Sequence, residues 1–281
     1  MKIKVAKYIA DFLAEKGIRY NFTVTGGGAM HLNDAFGHHD KITCIYNHHE
    51  QASAIAAEGY ARLTGKVALV CVTSGPGGTN AITGVLGGWQ DSIPMFVVSG
   101  QVKRETTTWS TDVPLRQLGD QEFQIADCVK NMTKYSVMVT DPEQIRYHLE
   151  KAWYLCNHGR KGPVWLDIPL DVQAAIVDSE TLTGYVPESE NVTVDPEMIK
   201  QVLDKIENAK RPVILAGTGI RLGGAYKEFL EVIHQLQIPV VTAWNAHDLL
   251  EEEEPLYCGR PGTVGLRGGN FVVQNADVLV V

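Results

Sequence analysis

Val67-Ala68-Leu69-Val70-Cys71-Val72-Thr73-Ser74-Gly75-Pro76-Gly77-Gly78-Thr79-Asn80 is an unbroken apolar run, rich in β-branched residues, that stops at a glycine-rich turn. It predicts a strand over residues 67–72, a turn over 74–78 and a helix after it. A strand that is apolar at every position, not at alternate ones, is covered on both faces, which is the situation of a parallel sheet. The same alternation extends outward in both directions. Val5, Ile9, Phe12 and Leu13 recur at helical spacing, Gly17 supplies a left-handed cap, and residues 18–24 read as a strand. Residues 42–46 read as a buried strand and 50–63 as a helix; strands follow at 94–99, 135–139 and 163–168, with a helix at 142–156. The expected fold is α/β, a parallel sheet with helices on both faces.

Residues 178–196 turn polar and lose periodicity, as a linker does. We therefore divide the chain into a first domain at 1–178, a linker at 179–196 and a second domain at 197–281. In the second, helices at 198–207 and 226–236 alternate with strands at 212–216, 238–242 and 276–281, which suggests an incomplete α/β (Rossmann-like) domain. Asp277-Val278-Leu279-Val280-Val281 reads as a central strand cut in mid-run, whereas termini usually fray at the surface, so the chain is expected to be a piece of a longer protein.

Among 281 residues, 44% are hydrophobic and 21% charged, the composition of an ordinary globular protein. With 25 Lys and Arg against 33 Asp and Glu the net charge is −8, and no dense basic run occurs, so nucleic acid is not an expected partner. The five cysteines, Cys44, Cys71, Cys128, Cys156 and Cys258, form no C-x-x-C pair and read as reduced core thiols of a cytoplasmic protein. The N-terminus lacks the apolar core of a signal peptide, and no apolar stretch is long enough to span a bilayer, so no membrane association is expected.

The densest cluster of chemically able residues is Asn47-His48-His49-Glu50-Gln51, between a strand and a helix. In open parallel sheets ligands bind beyond the carboxyl ends of strands, so Glu50 faces a crevice. Asn47 and Glu50 also have the spacing of a helix cap and its reciprocal partner, and both readings stand. Zinc-protease chemistry would need a histidine at position 53, where Ser53 stands. His38-His39 reads as a solvated loop. The glycine turns Gly26-Gly27-Gly28 and Ser74 to Gly78 allow close backbone approach to a ligand, but neither carries the lysine of a P-loop or a G-x-G-x-x-G dinucleotide fingerprint. An NAD-binding protein is therefore disfavoured.

Taken together the sequence resembles the thiamine diphosphate (ThDP)-dependent enzymes, and within them the acetolactate synthase-like carboligases. The resemblance rests on Thr25-Gly26-Gly27-Gly28, His49-Glu50-Gln51, Thr73-Ser74-Gly75-Pro76-Gly77 with Thr79-Asn80, Asp91-Ser92-Ile93-Pro94, Gly100-Gln101-Val102, Gln121-Glu122, Thr133-Lys134, Gly162-Pro163-Val164 and Asp167-Ile168-Pro169. It implies a pyrimidine-binding domain over 1–178 and the N-terminal part of a central domain after the linker. It implies that Glu50 and Gln121 are the catalytic residues: Glu50 hydrogen-bonds N1′ of the aminopyrimidine and promotes loss of the thiazolium C2 proton, and Gln121 points to the reacting carbon. Gly26, Gly27 and Gly28 would border substrate and cofactor, with Pro76 and Asn80 against the pyrimidine. The implied substrate is a 2-oxo acid such as pyruvate. The implied Mg²⁺ would be held by a diphosphate-binding domain absent from these residues, so no metal ligand is assigned here. FAD, which several relatives bind through the central domain, is not called for by Gly217-Thr218-Gly219. The implied assembly is a homodimer or tetramer, with the helices after His49 and Gly77 near the contact.

Two departures from the family pattern bear on substrate. Asp120 stands before Gln121-Glu122 where acetolactate synthases commonly have Phe, and residues 103–118 are unlike the typical synthase. The alternative reading is a non-catalytic pyrimidine-type module that regulates or assembles with a separate diphosphate-domain chain. Retention of Glu50 argues against it.

Overall fold

The computed structural model describes residues 1–188 and 193–281 in two compact units, Met1–Glu188 and Ser189–Val281. The part of the expected linker at 189–192 lies outside the described residues.

In the first unit, β1 (Lys2–Lys4) leads into α1 (Val5–Glu15), β2 (Tyr20–Thr23), α2 (Met30–Gly37), β3 (Thr43–Tyr46), α3 (Glu50–Thr64) and β4 (Ala68–Val72). There follow α4 (Pro76–Gln90), β5 (Met95–Gln101), α5 (Ile125–Cys128), β6 (Tyr135–Met138), α6 (Ile145–Asn157), β7 (Val164–Pro169), α7 (Leu170–Ala174) and β8 (Ile176–Asp178). Six strands form one sheet in the order β3-β2-β4-β5-β7-β6, and every pairing is parallel. The alternating residues Leu69, Cys71, Phe96, Val98, Val164 and Leu166 bury into a core with α1, α2, α6 and α7. Val70, Val72, Val97 and Trp165, which point to the other face, are equally buried, and α3, α4 and α5 cover them. The continuous apolar run of the opening sequence is explained: both faces of β4 are core.

Gly17 takes the left-handed φ of 94° expected of a helix end, and the N–H of Ile18 bonds back to the Leu13 carbonyl. The sequence did not signal β1 and β8, which are too short for a periodic pattern. They pair antiparallel and join the start of the unit to its end, with the Met1 amino group 2.6 Å from Asp178.

Three expectations are corrected. β3 is an edge strand, and Ile45 and Tyr46 are exposed instead of buried, because only β2 flanks it. Of the pair His38-His39, His38 is solvated in the loop as expected, but the His39 side chain is largely covered, its ring 3.3 Å from Asp11. All five cysteines are free, and Cys71 and Cys156 are core residues, but Cys128 is exposed at the end of the short helix α5.

The second unit contains α8 (Pro196–Asn208), β9 (Pro212–Ala216), α9 (Gly219–Leu222), α10 (Tyr226–Leu236), β10 (Val240–Thr242), α11 (Arg267–Asn275) and β11 (Val278–Val280). Its three-stranded sheet is parallel, in the order β10-β9-β11. The strand at 276–281 is present, but it lies at the sheet edge and β9 is central. Among the described residues, no helix is long and apolar enough to cross a membrane.

Candidate active site

The strand order locates the site before any side chain is considered. From β2 the chain crosses to β3 on one side, and the next strand, β4, lies on the other side of β2. The order reverses between β2 and β4, and in parallel α/β sheets ligands bind beyond the strand ends at that reversal. The Gly26–Gly28 turn follows β2 there, the Ser74–Gly78 turn follows β4, and Glu50 opens α3 after β3.

The glycines are dictated by packing. A Cβ on Gly26 would lie 2.5 Å from the side chain of Thr73, and one on Gly28 would lie 2.6 Å from Ser74 Oγ, so the two turns are pressed together. A Cβ on Gly77 would meet Thr73 Cγ2 at 2.7 Å, whereas Gly27 faces open space. Gly75 has φ 51°, and a Cβ there would overlap the carbonyl oxygen of Gln121, which lies over this turn. On the other flank a Cβ on Gly84 would lie 2.6 Å from that of Ala54, so α3 and α4 are in close contact and bring their N-termini together.

Glu50 is 9% exposed at the first position of α3. Its Oε2 accepts a hydrogen bond from Asn80 Nδ2 at 3.0 Å. Among the described residues no donor is placed on Oε1, which lies toward the Gly77 turn, 3.6 Å from where a Cβ would stand. The proposed capping partner is corrected: the cap is His49, whose Nδ1 accepts from Gln51 N at 3.1 Å, while Asn47 Nδ2 donates to Ser53 Oγ at 3.1 Å. Because capping falls to His49, the Glu50 carboxyl is released from it. His48 and Pro76 are exposed beside this crevice.

Thr73 Oγ1 is a buried hydroxyl with no hydrogen-bond partner among the described residues. A turn too tight for side chains, an unpartnered hydroxyl and a buried carboxyl with one oxygen uncommitted suit a flat, nitrogen-rich ring, and the residues present therefore fit an aminopyrimidine. Gln121 is exposed at the rim with φ 59°, a left-handed conformation that few non-glycine residues adopt. Glu122 beside it is buried. Burial alone would raise its carboxyl, but hydrogen bonds from the backbones of Thr108, Leu118 and Gly119 and the Thr108 hydroxyl outweigh that and hold it below the usual range.

Sequence reasoning missed a polar network under the crevice. Trp165 Nε1 donates to Ser99 Oγ at 2.8 Å, Ser99 Oγ donates to Asp167 Oδ1 at 2.6 Å, and Gln101 Nε2 donates to Asp167 Oδ2 at 3.0 Å. The available signal was Ser99 and Asp167 interrupting otherwise apolar central strands. Full burial pushes the Asp167 carboxyl up from 3.8 to about 7, against the lowering effect of Ser99 and Gln101. Because the folded state retains a proton that the unfolded chain releases, this group's contribution is largest in acid and is lost as pH rises from about 4 to about 7. Within that window stability should fall by about 1 kcal/mol per pH unit. Denaturant unfolding of the wild type and Asp167→Asn between pH 4.5 and 7.5 checks this: the variant should lack that part of the slope.

This is the geometry of an α/β ligand-binding domain, with its crevice at the strand-order reversal. The sequence profile of the thiamine pyrophosphate enzyme N-terminal TPP binding domain matches residues 3–127, and that of the central domain of the same enzymes matches residues 199–281. The chain is 35% identical over 278 residues to a probable acetolactate synthase large subunit of Methanococcus aeolicus, covering 95% of this chain and 44% of that protein. It is 32% identical over 279 residues to the acetolactate synthase isozyme 1 large subunit of Escherichia coli, covering 98% of this chain and 47% of that one. It is 32% identical over 283 residues to the mitochondrial acetolactate synthase catalytic subunit of Saccharomyces cerevisiae, covering 96% and 40% respectively. The chain belongs to the thiamine pyrophosphate enzymes, and along its length it is similar to acetolactate synthase large subunits. It spans less than half the length of each of these relatives.

Proposed function

We propose that the chain is the N-terminal portion of a ThDP-dependent decarboxylase or carboligase that acts on a 2-oxo acid such as pyruvate. The observation that carries this reading is Glu50, buried at the strand-order reversal, with one oxygen fixed by Asn80 and the other uncommitted. ThDP, when bound, supplies the electron sink for decarboxylation. Glu50 would hold a proton at Oε1 and share it with a ring nitrogen, and Asn80 keeps the carboxyl from rotating. Gly26, Gly28 and Pro76 would border the ring. Gln121, at the rim, would orient the substrate carbonyl.

A diphosphate-binding domain beyond these residues would hold Mg²⁺ and the diphosphate. The domain limits 1–178 and 197–281 remain our division of the chain, and its five free cysteines fit a cytoplasmic setting. Exposed Ile45, Tyr46, Ile55, Leu63, Leu86 and Trp89 on β3, α3 and α4 form the apolar surface through which a homodimer or tetramer would assemble. The reading is tested by assaying the full-length protein with pyruvate, ThDP and Mg²⁺. CO₂ release with formation of a C–C bonded 2-hydroxy-3-oxo acid is expected. Absence of decarboxylation with pyruvate and with other 2-oxo acids would leave the non-catalytic module as the better account.

A further inference from the structure

The segment from Lys103 to Leu118 is held with little apolar burial. Trp109, Val113, Leu115 and Leu118 are all exposed, so apolar burial does not fix it. Polar contacts do: Arg104 is bonded to Asp171 and to the Thr140 carbonyl, Ser110 Oγ donates to the Glu105 and Thr107 carbonyls, and the two ends of the 108–119 stretch meet on one carboxylate. Glu122 Oε1 accepts the Thr108 N–H at 2.6 Å, the Thr108 hydroxyl at 2.9 Å and Gln124 Nε2 at 3.3 Å. Its Oε2 accepts the N–H groups of Leu118 at 2.9 Å and Gly119 at 3.2 Å. The two oxygens thereby tie both ends of the 108–119 stretch together. Gly119 completes the closure, since a Cβ there would lie 2.7 Å from the Thr106 carbonyl oxygen and 2.8 Å from Val102.

A second tie reaches the sheet. Gln101, at the end of β5, donates from Nε2 to the Phe123 carbonyl at 2.8 Å and to Asp167 at 3.0 Å, while its Oε1 accepts the Val102 N–H at 3.0 Å. Gln121 therefore sits between a closed loop and an anchor on a central strand, in its left-handed conformation, with its carbonyl against Gly75. Glu122 and Gln101 are both buried, and the polar atoms of their side chains are committed to these contacts.

We propose that Glu122 is the positioning residue for Gln121: its carboxylate closes the 108–119 loop and, with Gln101 as the anchor to the sheet, holds Gln121 over the Gly75 turn before substrate arrives. Gln121 facing the substrate is the reading of the preceding subsection, and the kinetic half of the inference rests on it. Glu122→Gln keeps the shape of the side chain but turns an amide toward donors it must accept from, so at least one set of contacts is lost.

Two measurements decide the matter. By hydrogen exchange on the 281-residue chain, the amides of Thr108, Leu118 and Gly119 should exchange at least tenfold faster in Glu122→Gln, while those of β4 are unchanged. Unchanged exchange at all three would overturn the proposal. Should Glu122→Gln fail to fold, Glu122→Asp keeps the charge, shortens the reach and gives the same reading with the same two outcomes. In the full-length enzyme, Glu122→Gln should lower kcat at least tenfold with cofactor affinity changed less than twofold. Adding Gln121→Ala should then cost less than a further twofold, because its role is already lost. If the two losses multiply, Glu122 does not act through Gln121. If Gln121→Ala alone leaves turnover unaltered, the catalytic reading of Gln121 fails, and amide exchange still decides whether Glu122 holds the loop.

Discussion

Glu50→Gln in the full-length protein is expected to lower turnover by about 100-fold or more while leaving the melting temperature nearly unchanged. The asymmetry follows from the contacts. Among the described residues the Glu50 side chain has one hydrogen-bond partner, Asn80 Nδ2, and an amide oxygen in the same place accepts that bond as well. Helix capping is handled by His49, so α3 does not need the carboxylate for its start. What the amide lacks is an exchangeable carboxyl proton. Proton transfer by a positioned side chain is typically worth about 10²–10⁴ in rate, which sets the expected loss. Steady-state decarboxylation and thermal melting of the two proteins side by side check both halves. A large fall in melting temperature would mean that Glu50 serves the fold and not the chemistry.

The largest stability effect should come from Gly100→Ala. Gly100 lies within β5, and a Cβ there would overlap the Gly28 carbonyl oxygen and stand 2.6 Å from the Ala29 nitrogen. Both are backbone atoms, so no side-chain rotation relieves the overlap, and the Gly27–Ala29 turn must lift away from the strand. That movement also strains the bond from Gln173 Nε2 to the Gly28 carbonyl, 2.7 Å long. Forced overpacking in a rigid interior costs about 3 kcal/mol, or more when backbone must move. For a unit of this size it corresponds to a fall of roughly 6–12 °C in melting temperature. Gly27→Ala is the matched control: its Cβ enters open space, and stability should change by less than about 0.5 kcal/mol. Equal effects of the two substitutions would contradict the packing described for this turn.

The sequence carried the fold well where burial is two-sided and poorly where it is not. β4, β5 and β7 are legible because every position is buried and most are apolar, and Pro212–Ala216 and Tyr226–Leu236 have the bounds expected from periodicity alone. β3 misled because Thr43-Cys44-Ile45-Tyr46 has strand-like composition, while its exposure depends on its place at the sheet edge, a property of topology. The site was legible in part for the same reason. Glycine turns after strands and a carboxylate at a strand end are local patterns. The pairing of Glu50 with Asn80 joins two helices 30 residues apart, and the roles of Glu122, Gln101 and Asp167 depend on contacts between distant segments. The capping error at Asn47 shows the limit of spacing rules, since His49 has an imidazole nitrogen that serves as well as a carboxamide oxygen.

The most direct test of the central claim, that Glu50 is the proton-sharing partner of the cofactor ring, is the rate at which the C2 proton of ThDP exchanges with deuterium when bound to the full-length protein. The account predicts fast exchange in the wild type and a rate lower by about 100-fold or more in Glu50→Gln, the range expected of a lost acid–base partner. Equal rates in the two proteins, with cofactor bound in both, would contradict it.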